Sequence, residues 1–228
     1  MLEDCYQLAL DKLRGHLDAV GHTYADDDGD LIVSGHRIGL SIAFEGFSRQ
    51  QNQALAPLDI CVHLDGDEGD RFRVGTIGVG ATQSQALAAA VEEWHLLAAA
   101  PLLAALGAAA PSRRRTAETS QLAGWDLFPG RAGVRGPVPA GLQPGGPFWN
   151  QLLLALRSEV SNWSAADDFA LRSIFVMGSG RAEASAQAAV DGFVNEPLSD
   201  AISQLPWPAT GEPYFYKQLF VLRCRPTT

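Results

Sequence analysis

The first half of the chain contains two stretches in which apolar and polar residues alternate with the two-residue period of a β-strand. The apolar positions are Ile38, Leu40, Ile42 and Phe44 in the first stretch, and Leu58, Ile60, Val62 and Leu64 in the second. Runs rich in Asp and Gly at 26–30 and 65–70 have the composition of turns. The pattern predicts short antiparallel strands with one face in the core and the other in water.

The next predicted strand changes its pattern part of the way along. Phe72 and Val74 hold one parity, whereas Ile77 and Val79 hold the other. Side chains of a regular strand keep to alternate faces unless an extra residue is inserted. We therefore expect a β-bulge, or a crossing of faces by the apolar residues, near Gly75 and Thr76.

Apolar residues recur at three- and four-residue intervals over 2–20, and again from Thr82 to Leu106, which predicts two helices. Thr82 and Gln85 have the spacing of a capping box, in which each side chain accepts a hydrogen bond from the other residue's backbone N–H. Trp94 is the largest residue of the second apolar stripe, so we expect it to be buried against the sheet. The apolar stretch 96–110 is too short for a membrane span and contains a proline.

The second half is less regular. Residues 123–147 include 12 Gly or Pro among 25 positions, so no regular element is expected there. Periodicity predicts a helix over 148–163, a strand over 169–177, a short helix starting at Pro197 and a closing strand over 214–224. The closing strand is apolar on both faces, which is typical of a central strand. Over 181–192, alternation of Ala with polar residues favours a strand over a helix.

These elements indicate an α+β fold in which antiparallel sheet meanders pack against helices. We expect an acidic α+β half over 1–107, a Gly/Pro-rich linker or ordered loop over 108–147, and a second α+β half over 148–228. Each half has the order helix, strands, helix. That order leaves open whether the halves are similar modules and whether they form one continuous domain.

Charge is distributed unevenly between the two halves. Residues 1–107 carry 16 acidic and 6 basic side chains (net −10), and 108–228 carry 10 and 11 (net +1), which gives the total of −9. An acidic half repels nucleic-acid phosphates and anionic lipid, and it attracts a basic or unfolded protein partner. We interpret the run Arg113, Arg114 and Arg115 as a solvated linker cluster. Homodimer formation is left open.

Cysteine usage and the N-terminus indicate the compartment. Cys5, Cys61 and Cys224 are odd in number and have no Cys-x-x-Cys spacing, which argues against a disulfide framework and a thiolate zinc site. Glu3 and Asp4 stand where a secretory signal carries basic residues. We therefore expect a cytoplasmic protein.

Candidate catalytic residues are few. Glu92 and His95 form a Glu-x-x-His pair on one helix face, as in di-iron bundles, but the chain has no second such pair. His63 shares a predicted strand face with Asp59 and Cys61, whose spacing is too wide for a direct nucleophile–base pair. Glu92, His95 and His63 are the catalytic candidates, and we expect no metal site and no cofactor.

Gly78, Gly80 and Thr82 precede the second predicted helix and are the candidate ligand-binding residues. Backbone N–H groups and the helix dipole could bind an anion at this point. The segment lacks the Gly-Lys-Ser/Thr of a P-loop and the third glycine of a dinucleotide-binding fingerprint. Close packing of the strand on the helix is the competing interpretation of the two glycines.

One set of residues suggests a family. The set is Gly78-x-Gly80-x-Thr82, then Ala86, Ala90 and Trp94, then Trp207-Pro208 shortly before an aromatic strand. It resembles a bacterial domain family of unknown function, over most of the chain, and that resemblance implies no catalytic residues. The layout of helix, strand meander and helix is also similar to small secretion chaperones, at the level of fold alone.

Two functions follow from these observations. The sequence favours a non-catalytic protein-interaction module with an immunity- or chaperone-like role, because polar chemistry is sparse and the first half is acidic. The alternative is an enzyme or small-ligand binder with a cleft between the two halves, covered by the loop 123–147. The alternative predicts a pocket that holds two or more of Glu92, His95 and His63.

Overall fold

The computed structural model of the chain describes residues 2–107, 120–137, 139–165, 170–180 and 186–225. Within these residues, open antiparallel sheets pack with helices, which confirms the predicted α+β class. The chain divides into two compact units, Met1–Arg114 and Arg115–Thr228. Each unit contains its own sheet and its own helices.

The described part of the first unit contains a six-stranded antiparallel sheet. Its strands are β1 (Tyr24–Asp27), β2 (Asp30–Val33), β3 (His36–Phe44), β4 (Ser48–Gln50), β5 (Gln53–Leu64) and β6 (Asp67–Gly80). They follow the order β1-β2-β3-β5-β4, and β6 also pairs with β5. Strands β3 and β5 confirm the two stretches of predicted alternation.

Helices cover one face of this sheet. They are α1 (Leu2–Val20), α2 (Gln83–Trp94) and α3 (Ala100–Gly107), and a π-helical turn (His95–Ala99) joins α2 to α3. Helix α1 packs on β3, whereas α2 packs on β5 and β6. The predicted capping box is present: Thr82 Oγ1 accepts from the Gln85 N–H, and the Gln85 side chain accepts from the Thr82 N–H.

The π-helical turn has a cause in the sequence. Pro101 has no N–H and its ring clashes with the carbonyl four residues earlier, so a regular α-helix cannot pass through it unchanged. Immediately before it, the Ala100 N–H donates to the His95 carbonyl, five residues back. The chain thereby continues as a helix, and His95 is held at the start of the turn.

The continuous helical segment Gln83–Gly107 has the length and hydropathy of a membrane span, although 96–110 alone is too short for one. In the structure, 56% of its most apolar window is buried. Trp94 is 0% exposed, which confirms its predicted burial. Packing within the first unit therefore accounts for the apolar composition of this segment.

Of the two alternatives predicted for β6, the bulge near Gly75 is absent, and the apolar residues change from the inner to the outer face. The register of β6 with β5 is regular from Phe72 to Gly80. Phe72 and Val74 occupy inner positions at the start of this stretch. Beyond them the inner positions are the small residues Thr76, Gly78 and Gly80, because α2 lies directly against this part of the strand. A bulge was expected because the large residues Ile77 and Val79 were assigned to the inner face, but they point outwards.

The described part of the second unit contains a seven-stranded sheet in the order β12-β11-β10-β13-β8-β7, with β9 also paired to β13. Its elements are β7 (Ser120–Leu122), β8 (Trp125–Pro129), β9 (Gly133–Arg135), a 3-10 turn (Ala140–Leu142), α4 (Pro147–Val160), β10 (Leu171–Ser179), β11 (Ala186–Val190), β12 (Phe193–Val194), α5 (Glu196–Ser203) and β13 (Phe215–Cys224). The central position of β13, between β10 and β8, was predicted and is confirmed. The order of the described elements differs between the two units, because strands β7, β8 and β9 precede the first helix of the second unit.

The Gly- and Pro-rich segment 123–147 is more regular than predicted. Strands β8 and β9 and the 3-10 turn lie within it, where no regular element was expected. These short strands pair with β13, which is distant in sequence. Such a partner does not affect the local composition, so the composition of 123–147 could not indicate the strands. Within 181–192, β11 confirms the strand interpretation for Ala186–Val190. The triple arginine at 113–115 lies outside the described residues.

Aromatic side chains dominate the core of the second unit. The rings of Phe148 and Trp207 have centroids 4.6 Å apart, and those of Trp149 and Phe220 are 5.5 Å apart. All four residues are buried. These tilted ring contacts stabilise the core beyond the apolar area that the large side chains remove from water.

Candidate functional site

The face of the first sheet that the helices leave uncovered is called the open face below. Its outward positions are Asp27, Asp30, Ile32, Arg37, Gly39, Ser41, Ala43, Leu55, Pro57, Asp59, Cys61, His63, Arg73, Gly75, Ile77 and Val79. Residues of the opposite parity face the core, and Ile38, Ile60 and Val74 are at most 1% exposed. Each strand thus has a core side and a solvent side.

Asp30 and Arg37 join β2 to β3 at one corner of the open face. Arg37 Nη1 donates to Asp30 Oδ2 at 3.0 Å, and Arg37 Nη2 donates to the Asp27 carboxylate. The hydrogen bond to Asp30 and the charge of Asp27 raise the pKa of Arg37. One guanidinium group balances only one of the two carboxylates, so the corner keeps a net negative charge.

Ser41 and His63 meet across β3 and β5. In the register, Ser41 lies opposite Cys61 and His63 lies opposite Gly39, so the two side chains are diagonal neighbours. Ser41 Oγ and His63 Nε2 are 2.7 Å apart, a hydrogen bond whose donor depends on the tautomer of the imidazole. Ser41 is exposed to solvent.

A shallow depression of about 530 Å³ lies over Gly39, and Asp30, Arg37, Ser41 and His63 are among the residues that line it. Gly39 forms its floor because it has no side chain, and a Cβ there would lie 3.0 Å from Asp30 Oδ1. Asp30 Oδ1 therefore lies beside the space above Gly39. Among the described residues, nothing donates a hydrogen bond to this oxygen.

Further carboxylates near this corner and along the sheet form hydrogen bonds and ion pairs with neighbouring basic residues. Asp65, in the turn after β5, accepts a hydrogen bond from the Arg37 N–H at 2.9 Å and contacts His36 Nδ1 at 2.8 Å. Desolvation raises the pKa of Asp65, but these two hydrogen bonds outweigh it and the pKa falls below its ordinary value. Farther along the sheet, Arg73 Nε donates to Asp59 Oδ2 at 2.8 Å.

The other end of the open face is apolar. Ile77 and Val79 on β6 are 37% and 45% exposed, and they lie opposite Pro57 and Leu55 on β5. These large side chains point outwards because the inner positions of β6 are filled by close contact with α2. The open face therefore combines a charged part with an accessible apolar part.

Two of the predicted catalytic residues lie on the helix-covered side of the sheet. Glu92 forms an ion pair with Lys12 of α1, with 2.5 Å between oxygen and nitrogen, and His95 Nε2 is 3.2 Å from His16 Nδ1. Burial lowers the pKa of both histidines; His16 lowers that of His95 further, and His22 lowers that of His16. These contacts join α1 to α2 and to the π-helical turn.

The predicted ligand-binding residues Gly78, Gly80 and Thr82 lie where β6 passes into α2. A Cβ at Gly78 would be 1.7 Å from the Ala86 carbonyl oxygen, and a Cβ at Gly80 would be 2.6 Å from the Ala86 nitrogen. The Thr82 hydroxyl is used in the capping box. The α2 backbone therefore occupies the space beside both glycines.

Of the three predicted catalytic residues, one lines the depression. His63 lines it, whereas Glu92 and His95 lie across the sheet from it. Sequence reasoning missed Ser41, Asp30 and Arg37. Each stands at the polar parity of its strand, but their closeness depends on the β2–β3 and β3–β5 registers, and alternation alone does not reveal a register.

The chemistry available at the open face is limited. A serine hydroxyl within hydrogen-bond distance of an imidazole is the arrangement of a nucleophile and its base. The backbone N–H groups of a sheet are largely used in its ladder, so stabilisation of an oxyanion would need other donors. In the part of the chain that the structure describes, no three His, Cys, Asp or Glu side chains are grouped to hold a metal ion.

Comparison with known proteins gives one result. No curated protein and no solved structure matches the chain. A family model described as a family of unknown function matches residues 26–224, a range that runs from β1 to β13 and includes strands of both units. The resemblance drawn from the glycine and tryptophan positions is confirmed at this level, and the chain belongs to the family of unknown function DUF6348.

Proposed function

We propose that this protein is a cytoplasmic, non-catalytic interaction module whose first unit binds a basic protein segment across the open face. One observation carries the proposal: a single sheet face combines accessible apolar side chains with an excess of carboxylates. A segment with both basic and apolar side chains is complementary to both parts. An immunity-like or chaperone-like role requires binding of this kind.

Charge supports a basic partner. Among the side chains that the structure describes, the outward positions of the open face and the turns at 28–29 and 65–66 carry Asp27, Asp28, Asp30, Asp59 and Asp65 against Arg37 and Arg73, a net charge of −3. The first 107 residues together have a net charge of −10. A field of this sign speeds association with a cation and is screened as the ionic strength rises, with a Debye length of about 10 Å at 0.1 M salt.

The apolar part supports a protein partner rather than a simple counter-ion. Ile77 and Val79 project from neighbouring outward positions of one strand. Burying the accessible area of such side chains stabilises a complex by about 25 cal/mol per Å² of apolar surface. A peptide with aliphatic side chains would gain this contribution, whereas a metal ion or an inorganic cation would not.

The test measures binding of the full chain to a fluorescein-labelled peptide of four Arg-Leu-Gly repeats, by fluorescence anisotropy at about 20 mM and 150 mM salt. We expect binding at low salt that weakens at the higher salt concentration. A peptide of four Glu-Leu-Gly repeats keeps the apolar content and reverses the charge, so it should not bind.

A matched pair of double variants separates the open face from overall charge. Asp30→Asn with Asp59→Asn removes two charges from the open face, and Glu3→Gln with Asp18→Asn removes two exposed charges from α1. We expect the first double variant to weaken binding by at least about tenfold, on the order of 1.4 kcal/mol or more, and the second to weaken it by less than about threefold. Equal losses, or no binding by the unmodified chain, would refute the proposal.

The hydrogen bond between Ser41 and His63 favours a second candidate, a hydrolytic enzyme. In such an enzyme the Ser41 oxygen would attack an ester carbonyl carbon while its proton passes to His63 Nε2, and the alcohol would leave with that proton. Water would then release the acid from Ser41 in a second step.

A fluorophosphonate probe tests this candidate directly, because it forms a covalent bond with an activated serine. Labelling of Ser41 found by peptide mass spectrometry, absent in Ser41→Ala and reduced in His63→Gln, would support the enzyme and count against the interaction module. If the unmodified chain is not labelled, while a known serine hydrolase is labelled in the same tube, the enzyme candidate is rejected.

A further inference from the structure

The geometry points to a specific use of the depression over Gly39: we infer that it receives one arginine or lysine side chain of the partner. The inference rests on the proposed function, since it names the position on the open face where a basic segment is held. Asp30 is the main recognition group in it, and Ser41 with His63 completes the wall. The ligand class is a guanidinium or ammonium group carried by a polypeptide.

The acceptors are already in place. Asp30 Oδ2 accepts a hydrogen bond from Arg37 Nη1 at 3.0 Å. This bond orients the carboxylate so that Oδ1 lies beside the space above Gly39. Oδ1 receives no hydrogen bond from any residue in the described ranges. A carboxylate oxygen can accept more than one hydrogen bond, and the Ser41 oxygen also has acceptor lone pairs. An incoming N–H donor would therefore find acceptor oxygens of both Asp30 and Ser41 in the lining of the depression.

The depression is suited to a cation rather than an anion. Arg37 is the positive group in its wall, but its Nη1 and Nη2 already donate to Asp30 and Asp27. Asp30 and Arg37 line the depression, and Asp27, which is hydrogen-bonded to Arg37, lies outside the lining. These three side chains together carry one positive and two negative charges. An anion would be repelled by this net negative charge, whereas a cation would restore the balance of charge.

The depression has room for an arginine or lysine side chain. The floor is a glycine, and Gly66 on the rim also has no side chain, so the volume of about 530 Å³ is open to solvent. A guanidinium group is planar and donates in a fork that matches a carboxylate, and an ammonium group donates in three directions. The aliphatic part of either side chain can lie along the sheet while its charged end reaches Asp30.

Two variants and one control test the inference. Asp30→Asn removes the charge and keeps the size of the side chain. Gly39→Ala keeps every charge and places a methyl group on the floor, 3.0 Å from Asp30 Oδ1. Asp59→Asn is the matched control, because it removes the same charge from the same face outside the residues that line the depression. Circular dichroism and thermal unfolding check that each variant is folded.

The binding probe is again the labelled peptide of four Arg-Leu-Gly repeats, with a peptide of four citrulline-Leu-Gly repeats as the neutral isostere. We expect Asp30→Asn to weaken binding of the arginine peptide about tenfold, Gly39→Ala about fivefold, and Asp59→Asn less than about threefold. In a titration followed by NMR, the amide signals of Gly39 and Ser41 should shift with the arginine peptide and stay in place with the citrulline peptide.

The outcomes separate the inference from the proposed function. If the arginine peptide binds and Asp30→Asn and Asp59→Asn weaken it equally, with no response to Gly39→Ala, the open face binds cations by its general charge and the inference is wrong. If the arginine peptide does not bind the unmodified chain at low salt, the proposed function fails as well. Binding of the citrulline peptide with equal affinity would also overturn the inference.

Discussion

The two faces of strand β6 show how differently one strand is constrained on its two sides. On the inner side, Thr76, Gly78 and Gly80 are small, and a Cβ at Gly78 would lie 1.7 Å from the backbone of α2. On the outer side, Ile77 and Val79 are large, apolar and more than a third exposed. The usual arrangement of large residues inside and small or polar residues outside is reversed, because the helix approaches the sheet too closely to leave room for side chains.

This difference separates stability from recognition. Inner residues of the first sheet are fixed by contact with helices, so substitution there should change the free energy of unfolding. Outer residues have solvent on one side, so substitution there should leave the fold intact and change binding. Paired variants, one on each face of the same sheet, test whether the inner residues set stability and the outer residues set binding.

The largest effect is expected for Gly78→Ala, with Gly75→Ala as its control. The new methyl group at position 78 would overlap the backbone of α2 and force the helix away, so we expect a loss of about 3 kcal/mol or more in the free energy of unfolding. A Cβ at position 75 meets nothing within 4 Å, and Ala suits a strand better than Gly does. Urea denaturation followed by circular dichroism measures the free energy of unfolding of both variants. Similar losses for the two would show that the inner face of β6 is no more constrained than its outer face.

Trp94 and Val79 form the second pair. Trp94 is 0% exposed, so Trp94→Ala leaves a cavity in the core of the first unit and should cost about 3–5 kcal/mol. Val79 is 45% exposed, so Val79→Ala should cost less than about 1 kcal/mol. The same denaturation experiment measures both, and the comparison gains support if Val79→Ala also weakens peptide binding. A cost below about 1 kcal/mol for Trp94→Ala would show that the inner face is not tightly packed.

The smallest effect concerns pH and the contact of His16 with His95. The pKa of each is lowered by burial and by a neighbouring histidine, whereas the unfolded residues have a pKa of about 6.5. As the pH falls below about 6.5, the unfolded chain takes up protons that the folded chain does not, so the free energy of unfolding decreases. Among the facing groups, Glu92 opposes this decrease, while Lys12 and His22 favour it.

Denaturation curves at about pH 7.5 and pH 5.5 measure this effect, since the first value lies above the ordinary histidine pKa and the second lies below it. The double variant His16→Gln with His95→Gln should lose less stability between these two values than the unmodified chain. The change is expected to leave α1 in place, because Leu10, Leu13 and Leu17 remain buried beneath it. An identical pH dependence in the double variant would show that these histidines do not contribute.

Much of the fold was predictable because local pattern specifies it. Alternation located β3 and β5, and the capping box at Thr82 located the start of α2. The closing strand β13 was predicted to be central because it is apolar on both faces. In each case the physical cause, a buried face or a helix N-terminus, acts on residues close together in sequence.

Other features depended on partners distant in sequence. Strands β8 and β9 form in a segment rich in Gly and Pro because β13 offers them backbone groups to pair with. The outward turn of Ile77 depends on how closely α2 approaches β6. The candidate site is of the same kind, since Asp30, Ser41 and His63 come from three different strands.

The sequence alone was enough to predict the α+β class, the helical and strand periods, the acidic character of the first half and the solvent-facing positions of β3 and β5. Which polar residues meet could be seen only in the folded structure, because strand register and helix approach depend on the packing of whole elements. The tertiary structure placed His63 beside Ser41 and left Glu92 and His95 to join two helices. Periodicity assigns a side chain to a face, but its neighbours on that face are set by the strand that pairs with it.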